Sequence, residues 1–353
     1  DWYFFGFGAS TSRGVRMGSS VRARLSLGLV TRLFTASGGR PDERRPATDE
    51  SEPWFDPVST YSEFLARLDL AAAVGATQVE VTQAGQPSGA EYLLSSEDAR
   101  KTLLGELESR GLSISALNCS GMALHPVTGP AHQELIRKTI VLAGQLGVRT
   151  IVTMSGVGGD GSDATTINWV FYPWPADSVV LSERHWGEAV EFWTEISAFG
   201  LEHGVERIAM ELHPMHLVYN VPTLLRLRDA VGPTVGANVD PSHLFWQQMD
   251  PVAVVRALGE AVQHVQMKDT EAVPEELAIA GVLDGRPFSA PESRAWRHRT
   301  IGRGHDSVFW REFLESLDAV GFDGGLSIEN EDPFVSYEDG VKEAAAFISP
   351  LIP

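Results

Sequence analysis

Four short segments in the second half of the chain each read as a β-strand ending in a polar cluster. They are RIAMELHP at residues 207–214, GANVDPSH at 236–243, HVQMKD at 264–269 and LSIENED at 326–332. Strand side chains alternate between faces, so Glu211, Asp240, Gln266 and Glu329 can all project into one shared space. Three carboxylates brought that close repel one another unless a cation lies between them. The chemistry on offer is that of a hard divalent metal with oxygen donors: manganese first, magnesium or cobalt behind it. Gln266 can supply an amide oxygen, while His264, two residues earlier on the same face, has a ring nitrogen.

Other polar residues fall close by. His213 shares strand parity with Glu211 and is a candidate general acid or base, while His216 lies further along the loop. Lys268 follows Gln266 on the same face, as a donor to a developing oxyanion or as a charge partner for the carboxylates. His305, after Gly302 and Gly304, can reach the same mouth from the long segment behind the seventh strand. Arg297 and Arg299 lie in that segment and offer either contacts to an acidic substrate group or a solvated basic patch.

These side chains need a scaffold that presents strand ends together. From residue 24 onward, strand-like and helix-like segments alternate. Strands are expected at 25–31, 77–82, 112–117 and 150–154, then at the four segments above. Helices are expected at 59–74, 95–110, 131–146, 183–203, 221–230, 251–259, 307–320 and 337–348, several stopped by a glycine. Eight βα units imply parallel strands with helices outside, and that number points to a closed (β/α)₈ TIM barrel over residues 24–353. In such barrels the catalytic face lies at the C-terminal strand ends, where the polar clusters fall. Residues 1–23 read as an N-terminal extension or an aromatic arm against a neighbouring subunit, and residues 37–57 as an exposed loop.

Composition narrows the function. A net charge of −19 repels phosphate backbones and anionic membranes, so neither a nucleic-acid nor a membrane partner is expected. The single cysteine, Cys119, rules out an internal disulfide and a cysteine-based zinc cluster, and reads as a packed, unreactive thiol. No apolar run reaches the ~20 residues of a membrane span, and a cytoplasmic enzyme is the expectation. Trp169, Phe171, Tyr172, Trp174 and Trp186 cluster behind the fourth strand, as a substrate lid or a contact with another subunit.

The ordered segments ELHP, VDPSHL, HVQMKDT, GRGHD and SIENED resemble the xylose isomerase-like TIM-barrel superfamily, and within it the sugar phosphate isomerase/epimerase branch. The resemblance runs from about residue 24 to the end. It implies that Glu211, Asp240 and Glu329 are metal ligands and that His243 faces substrate. The family pattern on the seventh strand is His-Val-His-x-Lys-Asp, with the second histidine on the metal; here that position is Gln266. The fourth ligand is then Gln266 through its oxygen, His264, or water, and the register with Lys268 and Asp269 favours Gln266. Substrate contacts are expected from His243, His305, His264 and Arg299.

The resulting expectation is a divalent-metal-dependent sugar isomerase or epimerase. Glu211 and Glu329 would remove and return a proton beside a carbonyl, through a metal-stabilised enediolate, with His213 and Lys268 assisting. The resemblance also admits the catalytic subunit of a C-glycoside deglycosidase, which eliminates an aromatic aglycone from a 3-keto C-glycoside and works with a smaller partner subunit. Apurinic endonuclease chemistry needs more zinc-binding histidines and a basic face, which this chain opposes. A non-catalytic binding protein completes the set. Homo-oligomers are expected from the resemblance.

Overall fold

The computed structural model describes residues 25–29, 61–82 and 92–352; the expectations for residues 1–23 and 37–57 lie outside them. Ten strands occur among the described residues: β1 (Leu25–Leu29), β2 (Gln78–Thr82), β3 (Ser113–Asn118), β4 (Thr150–Thr153), β5 (Arg207–Glu211), β6 (Val235–Val239), β7 (Val262–Met267), β8 (Asp269–Ala272), β9 (Trp296–Arg299) and β10 (Leu326–Ile328). Eight of them are parallel and close into a barrel in the order β1-β10-β7-β6-β5-β4-β3-β2. β10 pairs with both β7 and β1 and so completes the ring. The expected TIM barrel is present.

Local chemistry explains where the helices fall. Ser96 caps the helix Glu97–Glu108 by accepting from Ala99 N, and Asn220 with Thr223 forms a reciprocal capping box at Val221–Val231. Gly147, at φ 72°, ends the helix Gly129–Leu146 in the left-handed region that a β-carbon disfavours. The helix expected over 183–203 starts earlier, at Ala176, directly behind Pro175. Two short helices, Pro241–Trp246 and Pro274–Ala280, are additional to the sequence reading.

The helices bury one continuous apolar layer against the sheet, built around Phe64, Trp193, Trp310 and Phe313. A separate small cluster of Ala116, Val152 and Ala209 shares the inward parity of Asn118 and Glu211. Small side chains on that part of the barrel leave the remaining interior to polar residues. No helix among the described residues is long and apolar enough to cross a membrane.

The largest departure from the sequence reading follows β7. The chain turns outward into an antiparallel pair, β8 with β9, which matches Asp269 with Arg299 and Thr270 with His298. Residues 273–295 form a loop between these strands, and the chain then returns through the helix Ser307–Ala319 to β10. Arg297 and Arg299 therefore sit on a strand rather than in a free loop.

Candidate metal and substrate site

Glu211 is the last residue of β5, and Asp240 directly follows β6; both are buried. Asp240 also caps the helix Pro241–Trp246, its Oδ1 accepting from Ser242 N at 2.8 Å. Pro241 suits the first helical position because its fixed φ is helical and it has no N–H to leave unpaired. That short helix carries His243 back over the strand ends. His243 Nε2 lies 3.3 Å from Glu211 Oε1 and 3.4 Å from Asp240 Oδ2. The ring of His213, just past β5, is centred 4.1 Å from that of His243, and its Nδ1 is bonded to Pro214 O, which leaves Nε2 free to act. One donor atom from each of Glu211, His213 and His243 lies within 4.8 Å of the others.

Lys268, immediately after β7, is buried with its Nζ 3.1 Å from Asp240 Oδ2, 3.2 Å from Glu329 Oε2 and 3.1 Å from Glu331 Oε2. Asp240 Oδ2 and Glu329 Oε2 have no aligned hydrogen-bond partner, so these contacts are charge contacts. Three carboxylates thus surround one ammonium, and the buried Glu211 adds its charge to the same group. Burial pushes Glu211 well above the usual carboxylate range, raises Asp240, and carries Glu329 up to about 8. Glu331 is pushed the same way by burial, but Lys268 and then His298 outweigh it and hold its carboxyl low. Burial opposes the charge on Lys268 as well, and the surrounding carboxylates outweigh it and hold the ammonium firmly protonated. The excess negative charge and the oxygens without aligned donors are what a divalent cation would satisfy, so the residues fit a metal.

Beneath this cluster lies a network that the sequence reading passed over. Glu80, inward-facing on β2, is buried and accepts from Asn118 Nδ2 at 2.8 Å and from Gln266 Nε2 at 2.8 Å, with His264 Nε2 3.0 Å from its other oxygen. Asn238 Nδ2 in turn donates to Gln266 Oε1. Both ends of the Gln266 amide are therefore engaged, although the residue still lines the site. His264 sits one layer deeper, against Glu80, and not on the cavity wall. The signal for Glu80 was a charged residue at an inward position of an otherwise apolar strand, QVEVT.

A cavity of about 770 Å³ opens above the carboxylates. Thr82, Asn118 and Ser120 line one side of it, and Trp169 and Met215 reach it from loops. The 273–295 loop and β9 supply the opposite wall. There Trp296 stacks on Trp246 with ring centroids 4.7 Å apart, and Phe288 meets Trp296 edge-on. His298, also on β9, faces Glu331 at 3.9 Å, and burial lowers its imidazole to about 3. Burial likewise lowers His213 to about 4 and His243 well below the ordinary histidine value. These imidazoles are neutral, able to accept a proton or a metal.

Besides His264, two residues expected to contact substrate lie off the cavity wall. Arg299 pairs with Asp332 and Glu271, and Arg297 shares Glu271, so both brace β8, β9 and the segment after β10. His305 gives its Nδ1 to Asp269 Oδ1 at 2.7 Å and stacks on Phe245. Asp269 also accepts from the backbone N–H groups of Gly302, Gly304 and His305, which organises that loop and draws His305 away from the cavity. In the aromatic cluster only Trp169 lines the main cavity; Phe171, Tyr172 and Trp174 are exposed, and Trp186 is buried.

The model of the xylose isomerase-like TIM barrel family matches residues 68–351. The chain belongs to that family. It is 36% identical over 293 residues to the uncharacterised protein YfiH of Bacillus subtilis (strain 168), covering 81% of this chain and 94% of that protein. Among solved structures it resembles the IolI protein with a bound zinc atom (TM-score 0.60, 16% identity, 93% of this chain and 98% of that one). It also resembles D-psicose 3-epimerase with D-tagatose from Clostridium cellulolyticum H10 (TM-score 0.58, 13% identity, 93% and 99%). At such identities these two likenesses establish the fold, and function has to be argued from the site.

Proposed function

We propose that the protein is a divalent-metal-dependent isomerase or epimerase of a sugar or keto-sugar. The observation that carries this reading is the pair Glu211 and Glu329. They come from β5 and from behind β10 and line one cavity. One carboxylate can remove a proton next to a carbonyl while the other returns one. Lys268, 3.2 Å from Glu329, can donate to the carbonyl oxygen as negative charge gathers on it. A divalent ion, with Glu211 and Asp240 among the residues that would hold it, would supply Lewis acidity to a carbonyl and its neighbouring hydroxyl. The family and a ketose epimerase among the structural neighbours support the reading.

The test is deuterium exchange. Metal-loaded protein in D2O is incubated with D-fructose, D-psicose and D-tagatose, and the label at the carbon beside the ketone is read by NMR. Label entering at least one ketose, and lost in Glu329→Gln, supports the proposal; no label and no epimer across the panel would sink it.

A second reading is favoured by one feature, the Trp246–Trp296 stack with Phe288 on the cavity wall. A flat aglycone would lie well there. Proton removal beside the ketone of a 3-keto C-glycoside would then break the bond to the aglycone, which departs with the electron pair and takes up a proton. Aglycone release without epimer formation distinguishes this lyase from the isomerase.

A further inference from the structure

We infer that the nitrogen donors of the metal site are His213 and His243, from the β5–β6 side, and that the site prefers borderline ions such as zinc or cobalt to manganese or magnesium. The inference rests on the reading that a metal binds here, but not on any reaction.

Three observations carry it. First, the seventh strand offers the cavity no uncommitted nitrogen: Gln266 gives its amide nitrogen to Glu80 and receives Asn238 on its oxygen, and His264, whose Nδ1 has no partner, is held a layer deeper against Glu80 and off the cavity wall. The Gln266 oxygen already accepts one hydrogen bond, which weakens it as a ligand. Second, Lys268 stands in contact with Asp240, Glu329 and Glu331, so the β7–β10 side already holds a resident cation. A dication drawn into the same corner would have to sit beside that ammonium or displace it, at a Coulomb cost. Third, the nitrogen donors gather next to Asp240, whose Oδ2 is also the oxygen 3.1 Å from Lys268 Nζ and so lies between the ammonium and the histidines. Glu211, His213 and His243 converge within 4.8 Å, and Asp240 Oδ2, buried and without an aligned hydrogen bond, lies 3.4 Å from His243 Nε2.

The tautomers are compatible. His213 Nδ1 is bonded to a carbonyl and so carries the proton, which leaves Nε2 as the lone-pair nitrogen. A metal on His243 Nε2 places that ring's proton on Nδ1, at the expense of the Trp246 Nε1 contact, which at 3.4 Å is already long for a hydrogen bond. Two imidazoles with two carboxylates form a mixed donor set of the kind that suits zinc and cobalt, whereas all-oxygen sets suit manganese and magnesium.

Metal-free protein labelled with ¹⁵N-histidine is titrated with Zn2+ alone, and dissociation constants for Zn2+, Co2+ and Mn2+ are measured by calorimetry. The expected result is a metal-dependent shift of Nε2 in His213 and His243, with zinc bound at least about a hundredfold more tightly than manganese. His213→Gln and His243→Gln each weaken zinc binding by at least about tenfold, and Gln266→Met changes it by less than about threefold. Circular dichroism reports whether each variant folds, and the NMR titration needs no variant. The inference is overturned if zinc shifts neither ring, or if Gln266→Met is the substitution that removes binding. Tight zinc binding through these rings without ketose labelling would instead defeat the isomerase reading and leave this one standing.

Discussion

Gln266 on β7 donates its amide nitrogen to Glu80 on β2 across the inside of the barrel, at 2.8 Å. Their positions are 186 apart in the chain, and neither strand is the other's neighbour in the sheet. That one bond turns Gln266 from a prospective ligand into part of the floor on which the carboxylates stand.

Replacing Glu80 tests the floor. Glu80→Leu leaves the donors of Asn118 and Gln266 and the ring of His264 without their acceptor, at a cost of roughly 3–5 kcal/mol. Urea unfolding should show a lower midpoint with an unchanged slope. The pH dependence has a definite sign. Burial raises the Glu80 carboxyl, but His264 and the hydrogen bonds outweigh it and hold the group below its ordinary value. A lowered carboxyl contributes its full stability above the unfolded value of about 4.3, and that contribution is lost as pH falls through the folded value. The gap between the native protein and Glu80→Gln should therefore be constant from neutrality to about pH 5 and close below about pH 4.

Lys268→Met removes the only ammonium within reach of Asp240, Glu329 and Glu331 among the described residues. With chelator present, the uncompensated carboxylates should destabilise the fold by roughly 3–5 kcal/mol. Added divalent metal should recover part of the loss, because it supplies positive charge to the same cluster. Thermal unfolding with and without metal checks this. An equal loss under both conditions would count against charge balance as the cause.

Cys119 should be inert in the folded protein. Burial pushes its thiol up to about 12, and the sulfur lies against Val152 O in the barrel wall. Reaction with a disulfide reagent at pH 8 should be at least about a hundredfold slower than in denaturant. A rapid native reaction would show that this wall opens.

Two glycines should respond in opposite directions to alanine. A β-carbon on Gly304 would lie 2.4 Å from Thr270 O and 2.5 Å from Asp269 Oδ1, in the loop organised by Asp269. Gly304→Ala should therefore cost roughly 1–3 kcal/mol or more. Gly187, within the helix Ala176–Glu202, has open space at the same position, and Gly187→Ala should add about 0.5–1 kcal/mol. Both are read from chemical denaturation midpoints.

The barrel was legible because its strands and helices carry different periods, and because glycines such as Gly147 mark helix ends in a residue-local way. Glu211, Asp240, Lys268 and Glu329 were legible for the same reason: strand parity depends on the backbone alone. The β8–β9 pair was not. DTEA and WRHR lack an alternating apolar pattern, and they pair across 23 intervening residues that carry no hairpin signal. With that pair went the placement of His298 and the cavity wall formed by Phe288 and Trp296.

By itself the sequence determined that polar side chains would gather at the C-terminal ends of β5, β6, β7 and β10, because alternation along a strand is a property of successive residues. Only the tertiary structure decided what each of them touches. Gln266 and His264 turned to Glu80, His305 to Asp269, Arg299 to Asp332, and His243 to Glu211 and Asp240. Those choices follow from burial: once water is excluded, each polar group takes whichever partner the closed barrel brings within reach, and chain distance has no part in it.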